Sequence, residues 1–163
     1  MEACIVKNQQ GRYETEKPVT KEQLIQCAAE ILMAQFQRGE EICSAESASR
    51  YLLFALGIEE REVFGVIFLD SQHRIITFEK LFWGTVNAAS VYPREIVKRA
   101  LALNAAAVLL AHNHPSGISS PSEADKAITS RIRDALTVVD IRVLDHIIVG
   151  ADSQYSFAAN GLI

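Results

Sequence analysis

Residues 106–125 read Ala106-Ala107-Val108-Leu109-Leu110-Ala111-His112-Asn113-His114-Pro115-Ser116-Gly117-Ile118-Ser119-Ser120-Pro121-Ser122-Glu123-Ala124-Asp125. The apolar run over 106–111 has the length of a short buried strand, and it passes into a polar loop over 112–120. A helix follows, opened by Ser120-Pro121-Ser122-Glu123, a hydroxyl with an acid three residues later in the pattern of a capping box. His112 and His114 stand two apart at the strand end, so in extended chain both imidazoles project to the same side. Pro115 and Gly117 turn the chain, and Asp125 falls in the first turns of the helix, at the edge of its buried face. Two imidazoles and a carboxylate are borderline-to-hard ligands that suit Zn²⁺. Three protein ligands leave a fourth position for water, the arrangement of a catalytic rather than a structural zinc.

Working outward, Val63-Phe64-Gly65-Val66-Ile67-Phe68-Leu69 is a continuous apolar run that ends in Asp70-Ser71-Gln72-His73. The stretch from Arg74 to Leu81 is rich in β-formers, which predicts a hairpin buried on both faces or nearly so, with His73 exposed in its turn. Pro93 opens a helix whose apolar stripe is Ile96, Val97, Ala100 and Leu101, running to Asn104. In the helix after the histidine loop the stripe is Ala124, Ala127, Ile128, Ala135 and Leu136. Residues 141–149 read as a strand. Trp83 and Phe82 are expected to cover the sheet edge or core, while Lys98, Arg99, Lys126, Arg131 and Arg133 read as solvated helix faces.

Towards the N-terminus, Thr20-Lys21-Glu22-Gln23 is a capping box. Leu24, Ile25, Ala28, Ile31, Leu32 and Phe36 then recur at helical spacing up to a stop at Gly39. A second helix is predicted over 45–56, with Ser44 as N-cap, Gly57 as stop, and Ala48, Tyr51, Leu52, Ala55 and Leu56 on one face. Residues 1–19 are polar and aperiodic, and read as a loose arm. Strands alternating with helices after a hairpin predict an α/β domain, a mixed β-sheet flanked by helices, over 44–163. An N-terminal arm and helix occupy 1–43.

The chain has 163 residues, 49% hydrophobic and 22% charged, close to an average globular protein, which excludes a disordered acidic tail. A net charge of −4 without a basic block makes a poor general DNA binder. Cys4, Cys27 and Cys43 are odd in number and form no CxxC pair, as expected of reduced cysteines in a cytosolic protein. There is no apolar signal segment at the start and no run near the roughly 18 residues of a membrane span, so a cytoplasmic location is expected.

His-x-His, seven residues, Ser, two residues, Asp is similar to the JAMM metalloprotease pattern of the JAB1/MPN superfamily. The longer string HNHPSG…PS…D resembles the bacterial RadC family. That likeness extends to Arg61-Glu62-Val63-Phe64, Pro93-Arg94-Glu95, Asn104-Ala105-Ala106-Ala107 and Asp145-His146-Ile147-Ile148-Val149-Gly150. The resemblance implies a JAB1/MPN fold with cytidine-deaminase-like layering, with zinc held by His112, His114 and Asp125. It also implies a glutamate at the start of the first core strand as general base; Glu62-Val63-Phe64-Gly65 has that shape, with Glu79 as competitor. Ser122 would stabilise the oxyanion of a tetrahedral intermediate, and a first-turn residue satisfying free backbone N–H groups is a compatible second reading. His146 could lie behind a ligand, pack in the core, or fill the fourth position.

The function so implied is a zinc-dependent hydrolase cleaving a peptide or isopeptide-like amide in a protein or peptide substrate. Two alternatives stand beside it: a non-catalytic, metal-stabilised interaction module, and a DNA-repair accessory role carried by the family's DNA-repair association. The segment before residue 44 is too short for the helix-hairpin-helix unit of many family members. Zinc deaminases use His-x-Glu with Pro-Cys-x-x-Cys, which is missing here. HNH nucleases set their three residues apart, so the contiguous triplet is coincidental. Ala159 departs from the acid common in relatives.

Overall fold

The computed structural model describes residues 5–15, 17–37, 45–84 and 90–163. Seven strands and four helices follow in the order β1 (Ile5–Lys7), β2 (Tyr13–Thr15), α1 (Lys21–Gln37), α2 (Ala45–Leu56), β3 (Val63–Leu69), β4 (Ile75–Trp83), α3 (Pro93–Ala102), β5 (Ala107–Asn113), α4 (Glu123–Thr137), β6 (Arg142–Val149) and β7 (Gln154–Ser156). Five strands form one mixed sheet in the order β4-β3-β5-β6-β7. All neighbours are antiparallel except β5 and β6, which run parallel because α4 carries the chain back between them.

β3 and β5 are buried at every position, as central strands covered on both faces must be. Their side chains alternate between two cores. Val63, Ile67, Leu69, Leu109 and Ala111 face α2, where Ala48, Leu52 and Leu56 are fully enclosed. Phe64, Val66, Phe68, Val108 and Leu110 face α3 and α4, against Ile96, Ala100, Ile132 and Leu136. Two cores on one sheet are what the mixed α/β expectation required, and the fold is that of a helix-flanked sheet.

The N-terminal box forms as predicted: Thr20 N–H donates to Gln23 Oε1 at 2.9 Å and Gln23 N–H to Thr20 Oγ1 at 3.3 Å. Several expectations need correction. The stretch read as a loose arm contains a short hairpin, β1 paired with β2, tied by Asn8 Oδ1 accepting from Arg12 N–H at 2.9 Å. The box of α4 starts two residues later than predicted, at Ser122, and its acid is Asp125 rather than Glu123. Its buried face is Thr129, Ile132 and Leu136, whereas Ala124 and Ala127 are exposed. Leu24, Leu101 and Trp83 are also about half exposed. His73 is half-buried, its Nε2 facing Arg142 Nη2 at 2.8 Å, and lies in a left-handed turn at φ 58°. Ser44, Gly39, Cys4 and Cys43 lie outside the described residues.

Gly150 closes β6 against the loop that carries His114. A Cβ there would sit 2.5 Å from the Gly117 carbonyl oxygen, a backbone atom with no flexible side chain to yield. The same carbonyl accepts from Ala151 N–H at 3.0 Å, and His114 N–H donates to Val149 O at 2.9 Å. Gly150→Ala is therefore predicted to cost about 1–3 kcal/mol in urea denaturation. Because the loop must move, it should also weaken metal binding.

Candidate metal centre

β5 ends beside the N-terminus of α4, and three side chains meet there. His112 is 1% exposed and His114 half-buried. Their Nε2 atoms lie 3.0 Å apart. His112 Nε2 is 3.3 Å from Asp125 Oδ1, and His114 Nε2 is 3.5 Å from Asp125 Oδ2. Among the described residues these three form the group with metal-ligand geometry.

The hydrogen-bond network sets the tautomers. His114 Nδ1 faces the Ile118 carbonyl at 2.7 Å, and a carbonyl can only accept, so Nδ1 carries the proton. For His112 the chain is longer. Thr129 Oγ1 donates to the Asp125 carbonyl at 2.5 Å, so it accepts from His146 Nδ1–H at 2.6 Å. His146 Nε2 is then an acceptor and takes the proton of His112 Nδ1 at 2.8 Å. Burial drives the His146 pKa well down, in keeping with a neutral ring used this way. Phe64 lies parallel to His112 at 5.9 Å between ring centroids, and Phe157 stacks on His146 at 4.8 Å, so each ring is packed against an aromatic neighbour.

Both Nε2 atoms consequently present lone pairs to one point. Two lone pairs at 3.0 Å repel unless a positive charge stands between them, a proton or a metal cation. Ligand bonds of 2.0–2.1 Å in a tetrahedron imply ligand separations of roughly 3.3 Å, and the three observed separations bracket that value. The donor set fits a divalent ion. His146 sits behind His112, where it orients that imidazole from the rear.

Electrostatics agree. A proton taken up at His114 Nε2 is held by a hydrogen bond to Asp125, which raises the His114 pKa against the opposing effect of burial. Burial pushes the Asp125 carboxyl up, but the bonds that His112 and His114 donate from Nε2 when protonated there, together with those from Ser122, outweigh it and hold the group below the usual carboxylate range. Asp125 Oδ2 accepts from Ser122 N–H at 2.7 Å and from Ser122 Oγ at 2.6 Å. Ser122 is thus the N-cap of α4 and the holder of the carboxylate at once, and helix capping and ligand placement use the same atoms.

Glu62 lines the cleft that opens over this cluster, a space of about 610 Å³ that also meets Phe64, Val91, Tyr92, Ser122, Ile128 and Arg131. Its carboxylate favours the charged form of His114. Glu79 is elsewhere: it accepts from Arg99 Nε at 2.7 Å on α3. Of the two glutamates weighed from the sequence, Glu62 is the one that shares a cleft with His114 and Asp125. Another cleft of about 610 Å³, between α1, α2 and β4, is lined by Ala29, Tyr51, Phe78 and Lys80 and brings no metal-ligand set together. Burial pushes the Tyr51 phenol there up to about 12. Sequence reasoning missed Thr129 and left Asn113 without a role. Thr129 is legible only through its four-residue offset from Asp125, on the same helix face.

A helix-flanked mixed sheet with two imidazoles and a carboxylate at one strand end defines a JAB-type domain. The chain belongs to the RadC-like JAB domain family, which matches residues 42–162. It is 53% identical over 150 residues to a UPF0758 protein of Vibrio cholerae, covering 92% of this chain and 94% of that one. A second UPF0758 protein of the same organism is 50% identical over 151 residues, covering 93% and 96%. A UPF0758 protein of Nitrosococcus oceani is 55% identical over 127 residues, 78% of this chain but 57% of the relative. Among the described residues no helix is long and apolar enough to cross a membrane.

Thr129→Val strands the buried His146 Nδ1–H, with an expected loss of about 1–3 kcal/mol. Its metal affinity, read by competition with a chromogenic chelator, should fall roughly 10–100-fold. Acid acts by competition, since a metal and a proton seek the same Nε2 lone pairs. Without metal, the raised His114 pKa contributes stability that is complete below its unfolded value of about 6.5 and lost as pH rises through the folded value. The depressed Asp125 contributes above about pH 3.9, and its share is lost as pH falls through the folded value. The metal-induced rise in melting temperature should therefore be larger at about pH 7.5 than at about pH 5.5, measured by calorimetry with and without zinc.

Proposed function

We propose that the protein is a zinc-dependent hydrolase of the JAMM type, cleaving a peptide or isopeptide-like amide. The observation that carries this reading is the convergence of His112 Nε2, His114 Nε2 and the Asp125 carboxylate in a cleft that Glu62 also lines. Zinc held by these three residues would supply a Lewis acid and lower the pKa of a coordinated water to about 7. Glu62 would take the proton that the water loses as its oxygen bonds to the amide carbon. The same carboxyl then delivers that proton to the departing nitrogen as the C–N bond breaks.

Ser122 has one hydroxyl proton and two uses for it. In the resting arrangement it goes to Asp125. Service to a developing oxyanion would require the hydroxyl to swing from the carboxylate, leaving Asp125 the backbone N–H of Ser122 as its holder. The cleft wall combines Val91, Tyr92 and Ile128 with the exposed Arg131. Such a wall favours a peptide segment pairing an apolar side chain with a carboxylate.

Zinc content and turnover of amide substrates, measured on wild type, His114→Ala, Asp125→Asn and Glu62→Gln, test the reading. The first two variants are expected to lose zinc. Glu62→Gln should keep it while turnover falls about 10²–10⁴-fold. Stoichiometric zinc in all of them contradicts the ligand set. A zinc-loaded wild type inert towards amides favours the interaction module, and salt-sensitive retention on DNA favours the DNA-linked role.

A further inference from the structure

Asn113 stands between the two histidines in sequence and points to the opposite face of the sheet, where it is 3% exposed. Its Oδ1 accepts from Val63 N–H at 2.8 Å. Its Nδ2 donates to the Arg61 carbonyl at 3.0 Å and the Glu59 carbonyl at 3.2 Å. The Arg61 carbonyl and the Val63 N–H belong to the two peptide units that flank the Glu62 Cα. Peptide units are planar, so fixing both leaves Glu62 almost no freedom in φ or ψ. The Glu62 carbonyl is taken in turn by Gly84 N–H at 2.8 Å.

We propose that Asn113 is a positioning residue that sets the Glu62 carboxylate relative to the metal centre. Its kinetic consequence rests on the hydrolase reading, but the placement itself does not. β3 and β5 pair Phe64 with His112, and continuing that antiparallel register puts Glu62 beside His114. Where the backbone ladder ends, the Asn113 amide takes it over. Only a carboxamide offers one acceptor and two donors in a single plane at this reach. An aspartate would set lone pairs against two carbonyls, and a serine is too short to span from Val63 to Glu59. One residue of β5 thereby couples the strand end that carries His112 and leads into His114 to the segment that holds the base. No contact to either ligand's side chain is needed, because the coupling runs through the backbone of the strand itself.

The test uses zinc-loaded wild type, Asn113→Ala and Asn113→Asp. Both variants are expected to bind zinc in the wild-type ratio, because His112, His114 and Asp125 lie on the other face. In their crystal structures the Glu62 carboxylate should be displaced while the three ligands superpose. Amide exchange at Val63 should quicken while that at Leu110 is unchanged. With an amide substrate, kcat should fall about 10²-fold with little change in KM, the signature of a misplaced group rather than a lost binding contact. Glu62 unmoved in a zinc-loaded variant overturns the proposal, as does loss of zinc together with activity. Should the variants not fold, slow exchange of the wild-type Val63 amide supports the tie, and rapid exchange overturns it. If wild type cleaves no amide, the hydrolase reading fails, while the position of Glu62 still decides this one.

Discussion

Two imidazole lone pairs held 3.0 Å apart and facing one another are the constraint on which the site depends. Left without a cation they repel, and the protein spends three layers of contact on keeping them there. Ile118 holds one ring by its carbonyl, and Thr129 and His146 hold the other through a relay of protons. Ser122 aligns the carboxylate by the same bonds that start α4. The relay is buried and satisfied throughout; no buried side-chain nitrogen or oxygen among the described residues lacks a partner.

The sheet makes this economical because β5 faces two cores at once. His112 and His114 look towards the layer of α3 and α4, from which Asp125 and Thr129 come. Asn113 looks towards the other layer and grips the segment leading into β3. Alternation along one strand therefore turns the imidazoles to one side and, to the other, the amide that binds the backbone around Glu62. Gly150 permits the close approach of the His114 loop, and Asp145 pins the C-terminal segment by accepting from Ala158 N–H at 2.9 Å and Ser156 Oγ at 2.6 Å. That tie does not involve a side chain at position 159, so the departure at Ala159 leaves it intact.

Much of this was legible in the sequence because local chemistry and tertiary placement agree. The stripe Ala48, Tyr51, Leu52, Ala55 and Leu56 is buried as its spacing implies, and the apolar run Val63–Leu69 is a central strand over the same residues. The two histidines and Asp125 converge because i, i+2 geometry and a returning helix leave them little choice. What escaped reading depends on partners distant in sequence. The start of α4 was misplaced because Ser120 and Ser122 offer the same hydroxyl, and only contact with Asp125 selects the second. Asn113 carries no local signal, since its partners are backbone groups some fifty residues away. His146 could have been ligand, support or core, and the direction of its ring decided for support. The β1–β2 hairpin was invisible because strands of three exposed or half-exposed residues bury too little to leave an apolar pattern.

The proposed site has His112 Nε2, His114 Nε2 and Asp125 gripping one divalent ion with a position left open. Anomalous diffraction at the zinc edge from zinc-loaded crystals tests it most directly. A single peak is expected within about 2.0–2.2 Å of those three side chains, with no fourth protein atom in the coordination shell. A peak elsewhere would contradict it, and so would His146 turned forward to close the shell.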